Sequence, residues 1–271
     1  MQGCRILCLS LTFCALFGSA YGGTTHTVPV GSSNGAIQSL VNSESVRSGD
    51  TLLFPQSTFI FSEEVYINKN LGLCGAEFSE GGPLTILEKS GGANCRFFSF
   101  SGDGGGESGV RFIAFDGNGL YASDSGRAIF CSGSFSGGVH SSLFAGNRAS
   151  SGGAIYCYGS FTGGVHSSIF ADNKALWGGA IFCNGSLTGG VHSSIFSGNE
   201  TNWNAGGAIC CGSTFSGGVH SSTFSGNKAN WNGGAIYCEE NFTGESGAFA
   251  DLGGSYFLGN GAGTVGGAIY C

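Results

Sequence analysis

Histidine recurs at a fixed place in the second half of the chain, within the octapeptide GGVHSSIF or a near copy of it. The four copies place His140, His166, His192 and His220 at intervals of 26 to 28 residues. If the copies stack as strands about 4.8 Å apart, two neighbouring imidazoles could share a metal ion. No carboxylate recurs beside them to orient the rings, as metal-bound histidine usually requires. We therefore expect a structural, outward-facing column that hydrogen-bonds to the adjacent serines and binds no metal or cofactor.

The same octapeptide cannot be one straight strand with a single apolar face. Strict alternation places Val165 on one face of the strand and Phe170 on the other. Both side chains are apolar, so we expect a bend or bulge between them.

Cysteine forms a second recurring set. Its members are Cys131, Cys157, Cys183, Cys211, Cys238 and Cys271, with Cys210 beside one of them. Stacking would bring the Cα atoms within disulfide range, but parallel Cα–Cβ bonds would leave the sulfurs poorly placed for a bond. The long spacing is also unlike the Cys-x-x-Cys of a zinc site. The pattern favours a buried stack of thiols, with disulfides between turns as the alternative; Cys74 and Cys95 could pair with each other.

Aromatic residues stand between isoleucine and cysteine in most copies of the segment Ile-x-Cys. They are Phe130, Tyr156, Phe182, Tyr237 and Tyr270. If isoleucine and cysteine point inward, these rings point outward. An exposed aromatic stripe is a binding surface for sugars or protein partners; with the faces reversed it would be core.

Carboxylates are too scattered to predict a glycosidase, which needs two of them on one surface. Between residues 126 and 240 they are Asp172, Glu200, Glu239 and Glu240, and no two recur at one position of the repeat. A lyase would need a basic residue with calcium-binding acids, and Arg127 and Arg148 stand alone. We therefore expect no catalytic residues, with a pectin-lyase-like polysaccharide lyase or hydrolase as the alternative.

The composition predicts a folded, glycine-rich protein. Glycine accounts for 53 of the 271 residues, aromatic residues for 13% and charged residues for 10%. Disordered chains have the opposite balance of aromatic and charged residues. A net charge of −7 without a Lys/Arg cluster argues against a nucleic-acid partner.

The N-terminus is typical of an export signal. Arg5 precedes an apolar run at 6–17, and small residues follow up to Ala20. The run is too short to span a bilayer but fits the apolar core of a signal peptide. We expect a signal peptide over 1–20 and a protein that is secreted or displayed on the cell surface, in the outer membrane if the source is bacterial.

The second half of the chain consists of a repeat that predicts a solenoid. Short apolar runs separated by Gly-Gly, Ser-Gly and Gly-Asn indicate strands and turns. Three runs per unit predict one turn of a parallel β-helix, in which identical residues stack on successive turns. Inserted residues fall between an asparagine and the next Gly-Gly, which marks a loop. The predicted ladders are Phe144, Phe170, Phe196, Phe224 and Phe257, and Asn147, Asn173, Asn199, Asn227 and Asn260.

The first half fits the same architecture. Residues 35–43 place Ile37, Leu40 and Val41 on one helical face, with Ser33 and Asn34 as candidate caps. A helix here would cover the open edge of the first turn. We expect an all-β, parallel β-helix with a short N-terminal capping helix, divided into a capping region at 21–125 and the repeat at 126–271.

The two recurring motifs resemble the repeat of the polymorphic outer membrane proteins best known from chlamydiae. Gly-Gly-Ala-Ile occurs at 152–155, 178–181, 206–209, 233–236 and 266–269, and it alternates with Phe-x-x-Asn. The resemblance covers residues 126–271, while the first half is similar to a generic pectin-lyase-like β-helix. It implies a right-handed β-helix, exported and surface-exposed, with a role in adhesion.

From the motifs and this resemblance together we expect adhesion or surface structure rather than catalysis. The partner would be a protein or glycan on a host or neighbouring cell. We expect the last turn, residues 266–271, to present an uncapped edge, and its neighbour at 253–260 is apolar and lacks lysine and proline. We therefore also expect self-association through an open C-terminal rung.

Overall fold

The computed structural model describes residues 23–76, 85–106, 109–244 and 252–271. Within these ranges the chain is a parallel β-solenoid with four sheets and one short helix, which confirms the predicted fold class. We call one full turn of the chain a rung. Sheets A, B, C and D are lettered in the order in which a rung of the repeat passes through them. The signal peptide expected at 1–20 lies outside the described residues.

Sheets A, B and D contain eight strands each and sheet C contains four, and neighbouring strands are parallel. Sheet A consists of Thr25–Thr27, Thr51–Phe54, Gly72–Gly75, Val110–Arg111, Val139–His140, Val165–His166, Val191–His192 and Val219–His220. Sheet B consists of Thr58–Phe61, Thr85–Lys89, Ile113–Asp116, Leu143–Ala145, Ile169–Ala171, Ile195–Ser197, Thr223–Ser225 and Tyr256–Leu258. Sheet C consists of Lys174–Ala175, Glu200–Thr201, Lys228–Ala229 and Gly261–Ala262. Sheet D consists of Val65–Ile67, Phe98–Phe100, Ile129–Cys131, Ile155–Cys157, Ile181–Cys183, Ile209–Cys211, Ile236–Cys238 and Ile269–Tyr270. The three large sheets run from the first half of the chain into the second.

The stacking register explains why the sequence repeats. Phe170 lies directly beside Phe196 on the next rung, and their rings are parallel with centroids 4.7 Å apart. Both rings are fully buried. A side chain that packs well against a copy of itself can be used again on every rung, so the core repeats with the backbone.

The predicted bend in the octapeptide lies at its first serine. Ser167 has a φ of +49°, in the left-handed region that residues other than glycine and asparagine rarely adopt. The turn separates the sheet A strand Val165–His166 from the sheet B strand Ile169–Ala171. As a result Val165 and Phe170 are both buried.

The Gly-Gly pair is required by the close approach of successive rungs. Gly178 has a φ of +55°, and a Cβ on Gly179 would lie 2.1 Å from the carbonyl oxygen of Gly207 on the next rung. No side chain fits at that distance. The first glycine therefore allows the positive φ of the turn, and the second allows the backbones of successive rungs to approach each other closely.

Two details of the rung differ from the sequence-based expectation. The sequence predicts three strands in each unit. The segment around Phe161, one of these three, makes only isolated backbone bridges to Phe135 and Leu187. The region after the ladder asparagine was expected to be a loop, yet it begins with the two-residue strands of sheet C. The stacked asparagines hold the following residues in register, so a short strand can pair before the chain turns.

Helix α1, Asn34–Asn42, caps the first rung as predicted. The Ser33 side chain accepts a hydrogen bond from the backbone N–H of Ala36 at 3.2 Å, which satisfies one free donor of the first helical turn. The Gln38 side chain donates to the carbonyl of Tyr66 and accepts from its N–H, at 2.8 and 2.7 Å. Tyr66 lies in the edge strand of sheet D, so this side chain occupies the edge where another strand would pair.

Candidate binding surfaces

The four histidines form a stacked, half-buried column on sheet A. Neighbouring ring centroids are 4.8, 4.9 and 5.0 Å apart, with the rings nearly parallel. The Val165 side chain points inward and the His166 ring lies on the outer face, as predicted.

The hydrogen-bond partner of the rings differs from the prediction. Nε2 of His166 donates to the carbonyl oxygen of Gly163 at 3.1 Å, and His140 and His192 make the same bond one rung away on either side. The Ser168 hydroxyl instead donates to the backbone carbonyl of His166 at 2.7 Å. A tight turn places this glycine carbonyl under the ring, and the bond fixes the proton on Nε2.

Burial disfavours the charged form of the first two rings of the column. Burial, together with the nearby Arg111, lowers the pKa of His140 to about 4. Burial also lowers the pKa of His166. Among the described residues no group of three or more His, Cys, Asp or Glu side chains is arranged to hold a metal ion.

The aromatic residues between isoleucine and cysteine lie on the outer face of sheet D, half-buried. The Tyr156 ring stacks between those of Phe130 and Phe182, with centroids 5.4 and 5.3 Å away. Tyr237 and Tyr270 stack at 5.4 Å. The column is interrupted between Phe182 and Tyr237 because Cys210 takes the intervening position. We call these five rings the aromatic column.

The asparagine ladder is buried and bonded as predicted. Asn147, Asn173, Asn199 and Asn227 are fully buried. In Asn173, Asn199 and Asn227, Oδ1 accepts two bonds from the asparagine of the preceding rung, one from its backbone N–H and one from its side-chain amide, as Asn199 does from Asn173. The amide also donates to the carbonyl of a ladder phenylalanine one rung back. Apart from Oδ1 of Asn147, which starts the ladder and accepts no bond from the described residues, these side chains satisfy their polar groups inside the protein.

Four segments of the chain match the Chlamydia polymorphic membrane protein repeat, at residues 141–158, 167–184, 221–239 and 254–271. The chain carries this repeat. Three of the matched segments begin at the bend after a histidine, and the fourth begins at Gly254, which also has a positive φ. Each then runs through a ladder phenylalanine and asparagine to the Gly-Gly pair and sheet D. No curated protein and no solved structure gives a significant match. The polymorphic membrane protein repeat indicates a surface-exposed β-helical protein.

All the recurring cysteines except Cys210 form a stack of free thiols along the inner face of sheet D. Cys157, Cys183 and Cys211 are buried on successive rungs. A hydrogen bond that the Cys183 thiol donates to the side chain of Cys157, together with burial, raises the pKa of Cys183 well above its usual value. The alternative of disulfides between rungs is wrong for this structure. Cys74 and Cys95 form no disulfide with each other, since they lie on sheet A and in the loop after a sheet B strand.

The carboxylates of the repeat stay apart. Asp172 is exposed at the end of a sheet B strand, and Glu200 forms an ion pair with Lys174 on sheet C. Glu239 and Glu240 are exposed beyond sheet D, where the Glu240 carboxylate accepts bonds from Ser213 and Thr214.

The first unit departs from the repeat at Arg127, which replaces the second glycine of Gly-Gly. Its side chain is fully buried, and Nη2 donates to the carbonyl of Ala93 at 2.8 Å. Lys89 is also buried, and desolvation lowers its pKa to about 8. Its Nζ lies 3.3 Å from Sγ of Cys95 and 4.5 Å from the ring centroid of Phe97. The sequence analysis did not predict this pair of buried cations. The one signal in the sequence was that the first unit has Arg127 where the other units have glycine.

Among the described residues no helix is both long and apolar enough to cross a bilayer.

Proposed function

We propose that this chain is a surface-displayed β-helical protein that acts in adhesion or surface structure and catalyses no reaction. One observation carries the proposal: the same side chains occupy the same outward positions on successive rungs. An active site needs a unique set of groups at one place, whereas a repeated surface suits contact with an extended or multivalent partner.

The polymorphic membrane protein repeat supports a location at the cell surface, in the outer membrane if the source is bacterial, or outside the cell. The partner would be a protein or glycan on a host or neighbouring cell. The aromatic column supplies a candidate contact surface, because its stacked rings are half-exposed and rigidly held.

Adhesion and catalysis can be measured on the same preparation. Beads coated with the full chain should bind cells above the level of albumin-coated beads. The soluble chain should release neither unsaturated products nor new reducing ends from plant and bacterial polysaccharides. Turnover of any polysaccharide would instead favour the pectin-lyase-like enzyme.

A double variant locates the contact. The double variant Tyr156→Ala/Phe182→Ala should lower the binding of coated beads to cells. Tyr158→Ala is the control and should leave bead binding unchanged, because it removes an exposed ring beyond the end of the same sheet D strand. Equal binding by all three proteins would exclude the aromatic column as the contact.

A further inference from the structure

The surface cations of the repeat lie on one line. Residues 128–271 contain three Lys or Arg residues, Arg148, Lys174 and Lys228. Each directly follows a ladder asparagine, and the backbone pairs Arg148 with Lys174, Lys174 with Glu200, and Glu200 with Lys228. Tyr121 occupies the same position one rung before Arg148. The asparagine ladder therefore fixes a charged column along sheet C.

One of these cations is neutralised within the column. Lys174 forms an ion pair with Glu200, which leaves Arg148 and Lys228 as the cations available to a ligand. They lie three rungs apart, about 14 Å at the usual spacing of strands. Two separated charges in line suit an extended anion better than a small ion.

Large apolar side chains border the same column. Trp203 and Trp231 are 69% and 56% exposed, in the turns that follow sheet C on consecutive rungs. Leu176 is also exposed, and Tyr121, Arg148, Lys174 and Leu176 line one groove. The exposed tryptophans on consecutive turns and the aligned cations beside them form one surface. We call it the sheet C ridge.

We propose that the sheet C ridge binds a linear anionic polysaccharide. A pyranose ring offers an apolar C–H face to an indole or phenol ring, and a uronate or sulfate group offers a charge to Arg148 or Lys228. A polysaccharide repeats both features along its length, as the ridge does. The proposal rests on the proposed function, because it names the partner class for adhesion and a surface separate from the aromatic column.

Other anionic partners fit the ridge less well. An acidic peptide usually adds as a strand to a free sheet edge, but Glu200–Thr201 is paired on both sides within sheet C. Nucleic acid needs a denser array of cations than two charges on a protein of net charge −7. A bilayer surface is flat and would not enter the groove beside Leu176.

Charge variants of the full chain test the ridge through binding to immobilised dextran sulfate and polygalacturonate. The double variant Arg148→Gln/Lys228→Gln should bind roughly 20-fold more weakly, because the loss of each cation should lower the affinity about fivefold. Glu200→Gln should bind more tightly, because it frees Lys174. Arg47→Gln removes an exposed cation outside the repeat and should bind as the unaltered chain does. The two polysaccharides distinguish sulfate from carboxylate recognition.

Two further measurements complete the test. Trp203→Ala/Trp231→Ala should weaken binding without changing its salt dependence, since it removes apolar contact only. Neutral dextran should not bind. Equal binding to neutral dextran, no response to the double charge variant, or tighter binding to poly-glutamate or to phosphatidylserine vesicles would overturn the proposal.

Cell binding separates this proposal from the broader one. If beads bind cells but the double charge variant binds dextran sulfate and polygalacturonate as the unaltered chain does, the ridge is wrong while adhesion stands. If polysaccharide binding follows the charges but no cell binds, the ridge stands and adhesion fails.

Discussion

Asn173 donates twice to one atom of Asn199: its backbone N–H and its side-chain amide lie 3.1 and 2.9 Å from Oδ1 of Asn199 on the next rung. Both residues are fully buried. The pair joins two rungs through side chains where the backbone turns out of sheet B, so it reinforces the register that the backbone bonds between rungs set at this corner.

Removing one asparagine should destabilise the solenoid strongly. In Asn173→Ala, two donors of Asn147 lose their acceptor, and buried donors left without partners cost about 1–3 kcal/mol each. We expect the free energy of unfolding in urea to fall by about 3 kcal/mol. Asn184→Ala, at an exposed asparagine, is the control and should change it by less than about 0.5 kcal/mol. Similar losses in both variants would show that the ladder does not hold the rungs.

The histidine column should make stability depend on pH in a defined window. The pKa of His140 is lowered from 6.5 to about 4 in the folded chain, so the unfolded chain binds a proton first as the pH falls. Stability should therefore be complete above about pH 6.5 and should decrease as the pH falls towards 4. His140→Gln/His166→Gln should flatten the slope of the unfolding free energy between pH 6.5 and 5. If the double variant has the same slope as the unaltered chain, groups other than these histidines cause the pH dependence of stability.

Thiol reactivity should divide the cysteines by burial. Desolvation raises the pKa of Cys131 to about 11 and that of Cys238 to about 12, and the thiolate is the form that reacts. At neutral pH iodoacetamide should label the exposed Cys271 and leave Cys131 and Cys238 unmodified until urea is added, as peptide mass spectrometry can show. Disulfide-linked peptides between rungs would contradict the stack of free thiols.

Glycosylation should depend on the asparagine ladder. The chain has three Asn-x-Ser/Thr sites, at Asn184, Asn199 and Asn241. Asn184 and Asn241 are exposed, whereas Asn199 is buried and its amide is hydrogen-bonded. If a eukaryotic host secretes the chain, the folded fraction should carry glycans at Asn184 and Asn241 only. A glycan on Asn199 in folded protein would place that residue outside the core.

Much of this architecture could be predicted because the sequence repeats. One repeat fixes which residues must stack, so the inward Phe170, the buried Asn173 and the outward His166 follow from one pattern applied on each rung. The capping helix was predictable from Ser33 and the apolar spacing that follows it.

The remaining features depend on distances that a sequence does not contain. The ring of His166 bonds to Gly163 rather than to a serine because a tight turn folds the backbone beneath it. Sheet C has strands of only two residues, too short for a periodic signal.

The most direct measurement of the central claim, that each repeat unit is one interchangeable rung, is the deletion of a whole unit. Removing residues 152–177 joins Ser151 to Gly178, so a Gly-Gly pair again follows at the same place in the rung. The account predicts a folded chain that keeps its β-type circular dichroism and a cooperative urea transition. Its longest dimension in small-angle scattering should shorten by about 5 Å. Removing residues 152–164, half of the same unit, should abolish the transition because the ladders lose register. Equal tolerance of both deletions, or unfolding by the whole-unit deletion, would contradict the account.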